Sequence, residues 1–403
     1  MHGLSRMPMG KREMPPSKLR NFAFSLFYLL FLIGVAIFAL TRPMHSWDTL
    51  PYVALTLALE GKDTKTAHDE AYQRVKEALP PRAYQALLSG TEYRRAMADN
   101  SDYFSNQLPF YSIKPLYIGL IWLFHAVGVD VVQATVMVSA VSAIVLGLII
   151  GLWITQHISG LLGYLFAIGV TVGAGLIELA RLARPDALSA AIVILAIYLL
   201  LERKSFKTSL ALLILSVLAR PDNLIFALFV GGYLGFLSPP DLRISRIISL
   251  IYAAIVFGVY FLISSMSHAY GWEVTIYHGF ISRLNAPSLA HAHISLSLYL
   301  HILYWAILES IGSVDFYYLL AFITLACILS FVALVRRSTG PQEHMLLMLA
   351  GVAVMHFLVF PSVELRFFSA YYLAIAAIGV IKGTHQLTGN ALLAGGQMSS
   401  PLS

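Results

Sequence analysis

The sequence predicts an all-α, polytopic membrane protein of about ten transmembrane helices, with a long first outer loop that carries juxtamembrane helices. Three observations predict it. Of 403 residues, 58% are hydrophobic and only 12% charged, where a soluble domain carries ~25% charged residues. The apolar residues fall in long uninterrupted runs, and in lipid only helices or closed barrels satisfy the backbone. The runs lack the apolar–polar alternation of barrel strands.

The elements follow in chain order. Residues 1–20 form a basic tail (Lys11, Arg12, Lys18, Arg20) read as cytoplasmic. Asn21–Leu40 is twenty residues without a charge, long enough to cross ~30 Å of hydrocarbon. No small-residue cleavage site follows it, so we read a retained anchor. Residues 41–130 are the long loop. Further clear runs cover 131–154, 161–177, 247–266, 316–335, 345–360 and 367–381, and shorter ones cover 187–201, 208–219 and 224–237. Segments 115–129 and 296–308, at 15 and 13 residues, are short for a crossing. If both stay outside, Arg203, Lys204, Lys207, Arg243, Arg246, Arg336, Arg337 and Lys382 all fall inside, as the positive-inside rule asks. That choice makes ten crossings, with both termini cytoplasmic. The spans make one domain over 21–385, with a second outer loop at 267–315, and 386–403 is expected to be a disordered tail.

The net charge of +6 sits mostly in these cytoplasmic loops, which makes nucleic acid a poor partner. The single Cys327 excludes an internal disulfide or a cysteine-based metal site. No P-loop, dinucleotide fingerprint or Ser-His-Asp signature occurs. "HAH" (His291–His293) has no carboxylates at ligand spacing, so hydrogen bonds to substrate hydroxyls are its expected role, and no metal or other cofactor is expected.

Four polar places share the outer face. Charges at membrane depth are costly and line a cavity or a site. The first, "HSWDTLPY" (His45–Tyr52), leaves the first span. Asp48 there suits a helix N-cap, the reading composition favours, with a partly desolvated carboxylate acting as a base as the alternative. Helices over 64–98 are predicted from Ala67, Tyr72, Val75 and Leu79, and "PP" at 80–81 breaks them. Tyr84, Tyr93, Tyr103, Phe104 and Tyr111 follow, as belt aromatics or as sugar-stacking platforms.

"RPD" occurs at 184–186 and 220–222, each time before an apolar helix. Helix starts explain proline and aspartate (Asp186, Asp222). They do not explain Arg184 and Arg220, which point to an anion, and a phosphate suits their forked geometry. Arg181, one turn before Arg184, adds to that patch. In "VELRFFSAYY", Glu364 and Arg366 form either a local pair or another anion site.

Together these residues resemble the GT-C superfamily of integral-membrane glycosyltransferases. The likeness is nearest to the branch of bacterial aminoarabinose transferases and protein O-mannosyltransferases. It rests on the acid after the first helix, "KPL" at the end of the loop, "RLARPDAL" and "ELRF", and it spans roughly residues 20–385. The chain has "KPL" where the family has "KPPL", and one Asp after Trp47 where some members have Asp-Glu. The resemblance implies a GT-C-like transmembrane domain that uses a polyprenyl-phosphate sugar donor and a glycan, lipid or protein acceptor. It implies Asp48 as base and Lys114, Arg184 and Arg366 around the donor phosphate. Trp47, Tyr52, Tyr111, Arg181, Asp186, Arg220, Asp222, His291, His293 and Glu364 are candidates for substrate binding. It also implies a bacterial inner membrane, with the active site facing the periplasm. A flippase for lipid-linked sugars is the alternative, though the two RPD turns, 36 residues apart, are too close to mark half-repeats. A non-catalytic partner subunit is another.

Overall fold

The computed structural model describes residues 16–240, 242–281 and 292–396. It is 81% helical, with no strand among the described residues. Helix α1 (Pro16–Thr41) climbs to what we call the upper end. The first loop then folds into α2 (Thr49–Leu59), α3 (Thr64–Ala78), α4 (Pro81–Ser89), α5 (Glu92–Asp99), α6 (Ser101–Ser105) and α7 (Pro109–Ser112). α8 (Pro115–Ala126) leads into α9 (Val131–His157), which descends the whole molecule. α10 (Gly160–Gly173) and α11 (Leu176–Arg181) return upward, α12 (Asp186–Glu202) descends and α13 (Phe206–Ala219) climbs. α14 (Asn223–Gly232) descends into a π-helical turn, Tyr233–Leu237, and α15 (Arg246–Met266) climbs. After the short α16 (Trp272–Phe280) and α17 (Leu296–Ile311), α18 (Val314–Val335) descends, α19 (Pro341–Val359) climbs and α20 (Leu365–Gly396) descends.

Among the described residues, six helices are long and apolar enough to cross a membrane: 20–41, 131–157, 246–266, 314–335, 341–359 and 365–384. The ten runs of the sequence therefore divide into six full-length helices and four shorter ones. α8 and α17, the two doubtful segments, have 12 and 16 residues. At 1.5 Å per residue they span about 18 Å and about 24 Å, less than the ~30 Å hydrocarbon core. Large apolar side chains stand exposed along α1, α15 and α18, among them Phe27, Phe261 and Phe331. Such bands fit lipid contact, and the chain reads as an integral membrane protein. α20 continues to Gly396, past residue 386 where the disordered tail was expected, so residues 386–396 are helical.

α9 is the central post. Gly147 and Gly151 on it let α1 approach, because Leu32 Cδ2 and Tyr28 Cε1 would lie 2.4 and 2.5 Å from any added Cβ. The Tyr28 hydroxyl donates to the Gly147 carbonyl at 2.7 Å. This is the small-residue spacing that lets membrane helices pack backbone to side chain.

The first loop has a core of its own, with Leu50, Val53, Leu57, Ala71, Val75 and Phe104. Its helices begin where the chemistry asks. Asp63 accepts from Thr66 N–H at 3.0 Å, and Asn100 accepts from Tyr103 N–H at 3.1 Å. The residues expected to face inward, Ala67, Tyr72, Val75 and Leu79, are all buried, and α3 ends before Pro80.

Candidate functional site

A clamp between the chain after α1 and the chain after α11 sets the site. After α1, the Met44 N–H donates to the Arg181 carbonyl at 2.9 Å and Met44 pairs with Leu182 in an isolated parallel bridge. The Arg181 guanidinium returns the contact, donating Nε–H to the Arg42 carbonyl at 2.7 Å and lying 5.0 Å from the Phe38 ring. Arg181 is thus spent on holding α1, and it does not join the patch expected of it. Its clamp delivers Asp48 to Arg184.

Asp48 occupies the N-cap position of α2 but makes no capping bond. Its Oδ2 lies 2.7 Å from Arg184 Nε, and Oδ1 accepts from the Tyr111 hydroxyl at 3.2 Å. The Ser139 hydroxyl of α9 donates to the Arg184 carbonyl at 2.9 Å and fixes that corner. Arg184 Nη1 reaches Glu364 Oε2 at 3.9 Å, and Arg366 Nε donates to the same oxygen at 2.5 Å. Arg366 Nη1 also stands 3.7 Å from Asp186 Oδ2.

The second Arg-Pro-Asp corner closes the ring. Arg220 bonds Asp186 on α12 and Asp222 on its own turn. His356 Nε2, from α19, lies 3.6 Å from Asp222 Oδ2. Neither proline stands inside a helix: α12 begins at Asp186 and α14 at Asn223, so both prolines sit just before the first turn. Neither aspartate caps its helix with its side chain. Both carboxylates serve arginines instead. Asn223 braces the two corners, donating to Ser189 Oγ at 2.8 Å and to the Ser216 carbonyl at 2.9 Å.

Lys114, the residue before α8, differs from the arginines. Its Nζ donates to the Tyr52 hydroxyl at 3.1 Å and the Phe110 carbonyl at 3.3 Å, and packs against the Tyr52 and Tyr111 rings. No carboxylate pairs with it directly among the described residues. Tyr111 bridges Lys114 and Asp48, so three of the loop's candidates meet.

The electrostatics follow from this crowding. Burial pushes the Asp48 carboxyl up, but Arg184, Arg366 and Lys114 outweigh it and hold the group below its ordinary value. The expectation that desolvation would make Asp48 a stronger base is corrected: at rest its base strength is lowered by its arginine. Burial draws the Lys114 ammonium down to about 8, only partly opposed by Asp48. Burial pushes Asp222 up, yet the Arg220 guanidinium brings it down to about 2.

The remaining candidates fall outside the ring. Trp47 is buried in the loop core against Tyr93 and Phe104, so it packs the loop and does not line the site. His293 is 81% exposed and faces Glu273 at 3.6 Å. His291 lies outside the described residues. No group of three metal-ligating side chains occurs among the described residues. Three residues join the site without having been singled out for it. Phe367 lies beneath both Arg220 (4.9 Å) and Arg366 (4.3 Å). His356 faces Asp222. Asp315 accepts from the Leu365 N–H at 3.0 Å and holds the start of α20. Phe367 had a signal, its place beside Arg366. His356 and Asp315 had only the generic one of a polar residue in or at the edge of an apolar run.

An apolar cavity of about 240 Å³ lies among α8, α9 and α12, lined by Leu120, Phe124, Val141 and Leu188 among others. Leu188 follows Asp186 by two residues, about 200° around the helix. The cavity therefore opens on the other face of α12, and it carries no charged side chain.

The molecule is thus a helical membrane protein whose upper end holds a semi-buried ring of alternating carboxylates and cations. No family model matches the chain, and neither a curated protein nor a solved structure is significantly similar to it.

Proposed function

We propose that the protein is a membrane glycosyltransferase, moving a sugar from a polyprenyl-phosphate donor to a hydroxyl acceptor on a glycan, lipid or protein. The observation that carries this reading is convergence. A carboxylate in the first loop meets cations from residues 114, 184 and 366 at one end of the bundle, where a lipid head group would lie. The motif likeness to GT-C enzymes supports the same assignment.

The reaction needs a base and a stabilised leaving group. The acceptor O–H gives its proton to Asp48, and its oxygen attacks the sugar's anomeric carbon. The bond from that carbon to the phosphate oxygen breaks, and its electron pair leaves with the polyprenyl phosphate. Lys114, Arg184 and Arg366 supply positive charge where negative charge develops. One displacement of this kind inverts the anomeric centre. When Arg184 turns toward the donor phosphate, Asp48 loses its strongest partner and regains basicity. Side chains at the opposite, lower end support an outward-facing site. Arg203, Lys207, Arg246 and Arg336 lie at the ends of helices remote from the ring, and Lys382, within α20, pairs there with Glu343 at the start of α19, as the positive-inside rule asks of a cytoplasmic face. A bacterial inner membrane with the ring toward the periplasm fits that polarity.

Incubation of purified protein with a panel of polyprenyl-phosphate sugars tests the reading. Release of polyprenyl phosphate coupled to sugar transfer is expected. Movement of intact donor across a vesicle membrane without release would identify a flippase instead.

A further inference from the structure

Counted over the ring, Lys114, Arg184, Arg220 and Arg366 face Asp48, Asp186, Asp222 and Glu364, four charges of each sign. The resting site is formally neutral, with the imidazole of His356 counted uncharged. An incoming phosphate finds every arginine of the ring already on a carboxylate, and to reach one it displaces that carboxylate. The four carboxylates are not equally displaceable. Asp186 is 2% exposed and held by two arginines, while Asp48 and Asp222 are 21% and 30% exposed. Glu364 is 53% exposed, and a single oxygen, Oε2, makes both of its contacts, at 2.5 Å to Arg366 and 3.9 Å to Arg184. Its backbone lies in the irregular stretch 361–364, just before α20, where a side chain can swing outward without unwinding a helix.

We propose that Glu364 is a stand-in for the donor's phosphate: its carboxylate occupies the seat between Arg184 and Arg366, and a singly charged phosphodiester binds by pushing it into water. The inference rests on the donor reading above. Geometry supports it, because a phosphate offers two oxygens to two arginines that now share one. Charge supports it too. With Glu364 swung out, four cations face three carboxylates, and the surplus of one matches the single negative charge of a sugar phosphodiester. A diphosphate would leave an uncompensated negative charge in a semi-buried ring, which is costly. Glu364 thereby becomes a residue that sets which phosphate the site accepts.

The test is direct. Full-length protein in detergent is titrated with citronellyl methyl phosphate, a short isoprenyl phosphodiester, and separately with inorganic phosphate. Wild type is compared with Glu364→Gln and Glu364→Asp. Removing the competing charge should tighten the diester by roughly three- to fivefold in Glu364→Gln, which is about 0.6–1 kcal/mol, the upper part of what an exposed ion pair is worth. Glu364→Asp keeps the charge and should bind as wild type. A merely structural Glu364 predicts the reverse, weaker binding in Glu364→Gln with a lowered melting temperature. If wild type binds the diester and Glu364→Gln binds it no more tightly, the stand-in role is wrong and the donor reading is untouched. If neither binds the diester, the donor reading fails and this inference fails with it. If inorganic phosphate matches the diester in affinity, the seat serves free phosphate and the lipid source is excluded.

Discussion

Asp48 takes an ion pair from one side and a phenol from the other, and both lower its appetite for a proton. As the base of the proposed transfer, Asp48 should weigh heavily in turnover, and its pair with Arg184 gives it weight in folding too. Asp48→Asn should therefore reduce sugar transfer by roughly 10²–10⁴-fold, measured as polyprenyl phosphate released, and lower the melting temperature as well, because the Arg184 charge loses its partner. Transfer at the wild-type rate would remove Asp48 from the mechanism. Lys114 gives a second test. Its ammonium titrates near 8, and the proton-bearing form exists below that value. Donor affinity should therefore fall as pH rises through about 8, and Lys114→Gln should flatten this limb. A profile that keeps the same alkaline limb in the variant assigns it elsewhere. At this scale the residue types were legible, but their partners were not. Arg181 and Arg184 stand one turn apart in the sequence and looked like one patch. One binds the Arg42 carbonyl and the other a carboxylate, because the clamp to Met44 turns the chain between them. No local pattern reports a contact made 139 residues away.

The helices that shape the site are held by a few close approaches. Gly175, at the turn between α10 and α11, has φ of +83°, and an added Cβ would meet Leu365 Cδ2 at 2.6 Å. Leu365 precedes Arg366, so this contact sets how far α20 advances into the ring. Gly175→Ala combines a left-handed backbone with that collision and should destabilise the protein by about 1–3 kcal/mol. A thermal melt in detergent reads the loss, and donor affinity should fall with it through the displaced Arg366. An unchanged melt and affinity would show that the turn is free to relax. Apolar runs located the long helices of the bundle, since hydrophobicity marks where the chain must satisfy its own backbone, but not the short ones such as α2, α6, α7, α11 and α16. Length was less legible. α10, α13 and α14 pack against full-length neighbours and need not reach both membrane surfaces themselves. Such partial helices read as spans until their neighbours are known. The alternation of Pro and Asp at the helix starts was visible, but its meaning shifted, because Asp186 and Asp222 answer Arg220 and leave the caps to the backbone.

Across the whole molecule, the ring lies at one end, and the basic helix ends lie at the other. That polarity predicts sidedness. In a Cys327→Ser background, Arg82→Cys in the first loop should react in intact cells with a membrane-impermeant maleimide, and Lys207→Cys at the start of α13 should react only after permeabilisation. Equal labelling of both would overturn the orientation. The meeting of the four polar places could be anticipated from their shared side, but the exact balance of charge could not, since it depends on five separate segments finding one another. The clamp between Arg42–Met44 and Arg181–Leu182 carries a consequence for biogenesis. The first loop leaves the ribosome long before its anchor does, and Arg366 follows some 180 residues after that anchor. A nascent chain therefore waits with its acid unmatched, and the ring of charges is not complete in the membrane until Arg366 has been made.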